Sequence, residues 1–373
     1  MVNPFMLRVL PPAAPFCDRT EELSDLGFHA TNKANVVVFS PRRFGKTSLV
    51  RRLQAQLAEK DIIPFYIDLF MVTSPEDVAQ RLAKSIYTIL HRRESLLKKG
   101  VRYLKIFKTF RPVFKPSAQD GVVLSVEATS PGLSGMERLE EVMGELGRFI
   151  EREESGIHVV LDEFQEITEL KKTPVEGLLR THIQEHQASY FFVGSRRRIL
   201  LDMFNRKKRP FYQSAIMYPL KALPKKDLIE FLMEEFGKGG TECSEEMGDL
   251  LFHRTSGNPY YVQALAYYVF VESKRRVTEK SVEAGFTKLL ASERYGFEAL
   301  IQGLSGGQIA LLRALAADPR QKLLSTEFMN RHKLSIGGIQ SAQKKLVDLD
   351  LIENDGNGWK LVDPLFRQWV ADY

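Results

Sequence analysis

Residues 34 to 57 read "ANVVVFSPRRFGKTSLVRRLQAQL". No other stretch restricts the possible folds as much. Val36 to Phe39 is a short β-branched apolar run, as in a buried strand. Leu49, Val50, Leu53 and Leu57 fall on one face of a helix. Between them Ser40-Pro41-Arg42-Arg43-Phe44-Gly45-Lys46-Thr47 follows the pattern G-x-x-x-x-G-K-[ST], with Ser40 in place of the first glycine and Ser48 next in the helix. Strand, loop and helix are the context in which such a loop cradles phosphate. Gly45 lets the backbone amides turn inward, and the helix N-terminus adds its positive dipole end. Lys46 is expected to reach the β- and γ-phosphates, with the Thr47 hydroxyl on Mg²⁺.

Hydrolysis also needs a carboxylate at a strand end. "IHVVLDEFQE", from residue 157, supplies an apolar strand that runs into Asp162 and Glu163. Asp162 suits the Mg²⁺ shell, and Glu163 suits activation of water. Gln165 suits either a γ-phosphate sensor or a cap on the next turn. The pair places the chain in the additional-strand, catalytic-glutamate division of such proteins, and "IIPFYIDL" (62 to 69) is read as the strand between the loop strand and the metal strand. "SYFFVGS" ends at Gly194-Ser195, where Ser195 can meet the γ-phosphate or the water, and "SAIMYPL" is the fifth strand. Strands alternating with helices predict an α/β fold, a parallel sheet with ligands at its carboxyl edge.

These segments resemble the archaeal-type ATPases of the STAND group, relatives of AAA+ and origin-recognition ATPases. The resemblance rests on "PFCDRTEEL", "SPRRFGKTSL", "VVLDEFQE", "FFVGSRRRILLDMF", "RPFYQSAIMYPLKALP" and "TSGNPYYVQAL". It implies ATP and Mg²⁺ as ligands, and a nucleotide-driven switch with the potential for nucleotide-dependent oligomers. It also places Phe16 and Arg19 near the adenine, although the family's glycine is Asp18 here. Gly257 and Pro259, in Gly257-Asn258-Pro259, would approach adenine and ribose; equally, this tripeptide ends one helix and starts another. The arginine expected near the γ-phosphate has candidates in Arg196, Arg197, Arg198 and Arg209, with Arg196 and Arg209 fitting the family pattern best.

At 373 residues the chain is long enough for several cores. The expected division is an ATPase core at 1–221 with a basic insertion at about 92–135, a helical lid at 222–298 and a winged helix at 299–373. The winged helix rests on three helices followed by a wing, "NDGNGWKLVDPLFRQWV", turned at residues 355–358. From 303 to 373, nine Lys/Arg face eight Asp/Glu. A DNA reader usually presents a basic face, so double-stranded DNA and a protein partner both remain open. Residues 92 to 115 hold nine Lys/Arg and one acid, interleaved with aromatics. That composition suits nucleic acid or a solvated face.

Cys17 and Cys243 are the only cysteines, which fits a reducing cytoplasm. No apolar run approaches the ~18–20 residues of a membrane span. Two short strings point elsewhere. "HIQEH", with His182 and His186, matches a zinc-protease pattern without a third ligand. "LSGGQ" (304 to 308) is the signature of ABC ATPases, but it lies far downstream of Asp162, whereas that signature precedes the metal carboxylate. Ser305 and Gln308 have the spacing of a capping box, so the string is read as a helix start.

Overall fold

The computed structural model describes residues 2–97, 109–117, 121–129, 132–171 and 173–372. They form two compact units, one of residues 10–221 and the other of residues 1–9 with 222–373.

The first unit is built on a sheet. Helix α1 (Thr20–Thr31) leads into β1 (Val36–Phe39), α2 (Lys46–Glu59), β2 (Ile62–Asp68) and α3 (Pro75–Leu97). A hairpin, β3 (Phe110–Ser117) and β4 (Gly121–Ala128), precedes α4 (Gly135–Arg152) and β5 (Gly156–Asp162). Then come α5 (Val175–Glu185), β6 (Ser189–Gly194), α6 (Arg197–Asn205) and β7 (Ile216–Pro219). The five long-range strands pair in parallel in the order β2-β5-β6-β1-β7. This corrects one expectation. The strand between β1 and β5 is β6, and β2 lies at the edge beyond β5.

Alternate residues of the central strands feed two cores, as the pleat requires. Val37, Phe39, Val159, Leu161 and Phe192 pack with α3, α4, α5 and α6. Val36, Val38, Val160, Phe191 and Val193 pack with Leu26 of α1 and with Leu49, Val50, Leu53 and Leu57 of α2. Both faces are thereby dry. The sheet's carboxyl edge, where strands run into loops, is left for ligands. The antiparallel hairpin β3–β4 occupies part of the stretch read as a basic insertion. The rest of that stretch's basic and aromatic residues fall largely outside the described residues.

The second unit is mainly helical: α7 (Lys225–Lys238), α8 (Glu245–Thr255), α9 (Pro259–Glu272) and α10 (Glu279–Gln302). Helix α10 runs unbroken past residue 298. After it come α11 (Gly306–Ala317), α12 (Thr326–His332), α13 (Ile336–Asp348), the wing strands β8 (Ile352–Asn354) and β9 (Trp359–Leu361), and α14 (Pro364–Asp372). The segment read as wing throughout thus ends in a helix. Asp363 Oδ1 caps it, accepting from Leu365 N and Phe366 N, both at 2.9 Å. Tyr261 OH donates to Asp363 Oδ2 at 2.5 Å, and Gln368 Nε2 donates to Arg254 O at 2.9 Å. These bonds tie the winged helix to the helices before it. The chain's first residues also pack in this unit, with Phe5 against Phe236 at 4.7 Å and Asn3 Nδ2 donating to Tyr267 O at 3.0 Å. At Ser305 the capping box is formed, Ser305 N donating to Gln308 Oε1 at 2.9 Å.

Candidate active site

The loop after β1 turns into α2 through Arg43 and Gly45, both at positive φ (67° and 83°). Glycine is strain-free there. Lys46 is buried, and its Nζ donates to Ser40 O at 3.0 Å, Pro41 O at 2.9 Å and Ser40 Oγ at 3.3 Å. The departure from glycine at position 40 therefore gives the lysine an extra acceptor. Burial lowers the Lys46 pKa to about 8, with Glu163 and Asp162 pulling it back up. Arg42 and Arg43 are exposed on the loop, and Phe44 is half-buried.

Thr47 stands in the first turn of α2 and Asp162 ends β5. Thr47 Oγ1 donates to Asp162 Oδ2 at 2.8 Å. Two hard oxygen groups thus meet at the sheet's carboxyl edge. Among the described residues no cluster of three or more His, Cys, Asp or Glu could hold a metal. A hydroxyl beside a single carboxylate suits Mg²⁺, which keeps several waters and takes phosphate oxygens as further ligands. The other oxygen, Asp162 Oδ1, accepts from Glu163 N at 2.9 Å.

Glu163 stands in the left-handed region (φ 52°), which turns its carboxylate away from the strand direction. Ser195 Oγ donates to Glu163 Oε2 at 3.2 Å, and Gln165 Nε2 donates to the same oxygen. Gln165 is fully buried, and its Oε1 has no hydrogen-bond partner among the described residues. The structure therefore brings together Lys46, Thr47, Asp162, Glu163 and Ser195, as read from the sequence, and adds Gln165 as a direct partner of the glutamate.

It also adds Tyr66, which sequence reading did not single out. Tyr66 OH donates to Asp162 Oδ2 at 2.5 Å, and the Arg51 guanidinium lies 4.4 Å from its ring centre. Burial and the Asp162 charge push its phenol pKa far up, so it stays a donor.

The other expected residues are placed differently. Arg196 pairs with Glu169 at 3.2 Å and Glu166 at 3.7 Å. Arg209 pairs with Glu176 at 2.7 Å and Asp202 at 3.7 Å, while burial raises the Glu176 pKa. Arg197 lies over the Phe39 ring at 6.0 Å. Phe16 lines a groove of about 580 Å³ with residues of α1 and α2, under the Arg52 guanidinium at 4.7 Å. Arg19 is buried, pairs with Glu22 and donates to Lys221 O at 2.8 Å. Ser48 Oγ accepts from Leu10 N at 3.2 Å. Gly257 and Pro259 belong to the other unit. Gly257 is at φ 66°, Asn258 Oδ1 caps α9 by accepting from Tyr260 N and Tyr261 N, and Pro259 takes the first helical position. The helix-break chemistry read from this tripeptide is present. His186 bonds Tyr190 OH at 2.6 Å, and burial lowers its pKa to about 4, as suits a packing residue.

Residues 16–265 match a family described as an ATPase domain predominantly from Archaea, and residues 295–372 match a probable winged helix domain. No curated protein matches the chain. Among solved structures, the Walker-type ATPase PABY2304 of Pyrococcus abyssi is 18% identical, with a TM-score of 0.71 over 99% of this chain and 100% of that one. The Aeropyrum pernix ORC2 protein, in ADPNP-ADP complexes, is 15% identical with a TM-score of 0.61, over 99% and 96%. The Aeropyrum pernix ORC1 protein in complex with DNA is 15% identical with a TM-score of 0.51, over 98% and 94%. Among the described residues no helix is long and apolar enough to cross a membrane.

Proposed function

The chain belongs to the family of ATPase domains found predominantly in Archaea, carries a C-terminal winged helix, and from that premise we propose a Mg²⁺-dependent ATP hydrolase that works as a nucleotide-driven switch. The observation that carries this reading is the 2.8 Å bond from Thr47 to Asp162, which joins the phosphate loop to the β5 carboxylate. Thr47 and Asp162 would hold Mg²⁺, which when bound offsets phosphate charge. Lys46 would reach the β- and γ-phosphates from the loop. Glu163 takes the role of base toward the attacking water. Ser195 and Gln165 hold its carboxylate in one direction, so that it reaches the reaction already oriented. The placing of β6 between β1 and β5, with an acidic residue directly after Asp162, supports the additional-strand, catalytic-glutamate type.

Phe16 and Arg19 are proposed at the adenine side, with Gly257 and Pro259 contributing from the helical lid at 222–298. Arg196 or Arg209 would have to exchange its carboxylate partner for a phosphate to serve as the finger. Glu163→Gln should keep ATP affinity and lower turnover by roughly 10²-fold or more. Unchanged phosphate release from that variant would remove Glu163 from the mechanism.

A second reading, a nucleotide-gated DNA-binding or adaptor protein, draws on the ORC1–DNA likeness and on α13, where Lys344, Lys345 and Ile336 are exposed. Much of the remaining charge nearby is internally paired: Arg331 and His332 with Asp318, and Lys360 with Glu353 and Asp355. The hydrolase reading therefore stands first.

A further inference from the structure

Among the described residues the Asp162 carboxylate accepts three hydrogen bonds, and their distribution between its two oxygens is uneven. Oδ2 takes both Thr47 Oγ1 at 2.8 Å and Tyr66 OH at 2.5 Å. Among the described residues Oδ1 takes only Glu163 N, at 2.9 Å. A carboxylate oxygen offers about two acceptor positions. Oδ2 is therefore filled by its two donors, and Oδ1 keeps one position.

The reach of Tyr66 follows from strand register. Asp68 of β2 lies level with Asp162 of β5, and Tyr66 is two residues before Asp68. All three side chains leave the sheet on the same face. A phenol is long enough to span that offset; a shorter hydroxyl would not reach. Arg51, one turn along α2 from Thr47, stacks on the ring at 4.4 Å and holds it in place.

We propose that Tyr66 is a positioning residue that, with Thr47, occupies Asp162 Oδ2 and so assigns Oδ1 as the oxygen facing the divalent cation. Tyr66 itself touches neither cation nor nucleotide. It fixes the rotation of the carboxylate, as outer partners of metal ligands do elsewhere. This rests on the reading of Thr47 and Asp162 as the Mg²⁺ residues.

The test is calorimetric binding of a non-hydrolysable ATP analogue to the full chain, with Mg²⁺ and with EDTA. Wild type should bind more tightly with Mg²⁺. Tyr66→Phe keeps the ring and its stacking on Arg51. It should reduce the Mg²⁺-dependent gain by roughly tenfold, leave the EDTA affinity unchanged and, because a bond to a charged group is lost, lower Tm by roughly 3–12 °C. In an Asp162→Asn background the same substitution should change the gain no further. A full Mg²⁺ gain in Tyr66→Phe would overturn the proposal. So would an equal loss in both buffers, which would mark the tyrosine as general packing. If wild type itself shows no Mg²⁺ gain, the assignment of Thr47 and Asp162 fails, and Tyr66 loses its role with it.

Discussion

Gly194 is the residue at which a single methyl group should disturb the candidate active site most. It ends β6 beside Ser195 and faces the fully buried Gln165. A Cβ there would stand 2.0 Å from Gln165 Oε1, 2.9 Å from Leu200 Cδ1 and 3.1 Å from Gln165 Cδ. Gln165 and Leu200 are both 0% exposed, so neither can swing into solvent. Gly194→Ala must push the glutamine aside and break its bond to Glu163. Overpacking costs about 1–3 kcal/mol, and a lost hydrogen bond to a charged group about 1.5–3 kcal/mol. For a unit of this size those sums lower Tm by roughly 5–24 °C. Thermal unfolding followed by circular dichroism measures the shift. Gln165→Ala removes the atoms that collide, so the double variant should be more stable than the two single losses added together, by more than ~1 kcal/mol. Turnover should fall in Gly194→Ala as well, because Glu163 loses a donor. Wild-type melting of Gly194→Ala, or strict additivity in the double variant, would refute the reasoning.

Two further outcomes follow from residues away from the phosphate loop. His158 is fully buried, its Nδ1 paired with Ser189 Oγ at 3.0 Å and its Nε2 without a partner among the described residues; burial lowers its pKa from 6.5 to about 3. The unfolded chain thus binds a proton that the folded chain refuses, so stability is full above pH 6.5 and falls as pH drops toward 3. The slope from this group is at most ~1.4 kcal/mol per pH unit, and denaturant titrations at pH 7, 6 and 5 should show a flatter dependence in His158→Leu than in wild type. On the winged helix, if duplex DNA binds there, replacing Lys344 and Lys345 by alanine should weaken binding in filter or anisotropy assays and lower the salt slope by about 1.8; an unchanged slope would place the contact elsewhere.

The parts of this protein that could be read from the chain are those in which neighbours in sequence share one job. The phosphate loop, the acidic pair after β5 and the cap at Ser305 are each contained within a few residues. Beyond Thr47 and Asp162, joined by the expectation of a shared Mg²⁺, interactions between distant residues could not be read. Tyr66 and Asp162 are 96 positions apart, and only register brings them together. The order of the strands is likewise a property of pairing: the sequence suggests β2 as the interposed strand, and hydrogen bonds place β6 there. The hairpin β3–β4 was concealed by its composition. Pro112 and Pro116 argue against a strand, yet a two-stranded ribbon has open edges that tolerate them. Helix α14 did leave a signal: Asp363 followed by Pro364 is an N-cap and a first-turn proline. The arginines resisted a choice because their partners, Glu166, Glu169, Glu176 and Asp202, are ordinary carboxylates on several elements.

The chain passes between its two units twice, after Val9 and after Lys221. On the core side Leu10 N donates to Ser48 Oγ after the first passage, and Arg19 donates to Lys221 O before the second. Ser48 follows Thr47 in the same helical turn, and Arg19 lies in the segment proposed for the adenine. Both ends of this unit are therefore fastened beside groups proposed to contact the nucleotide.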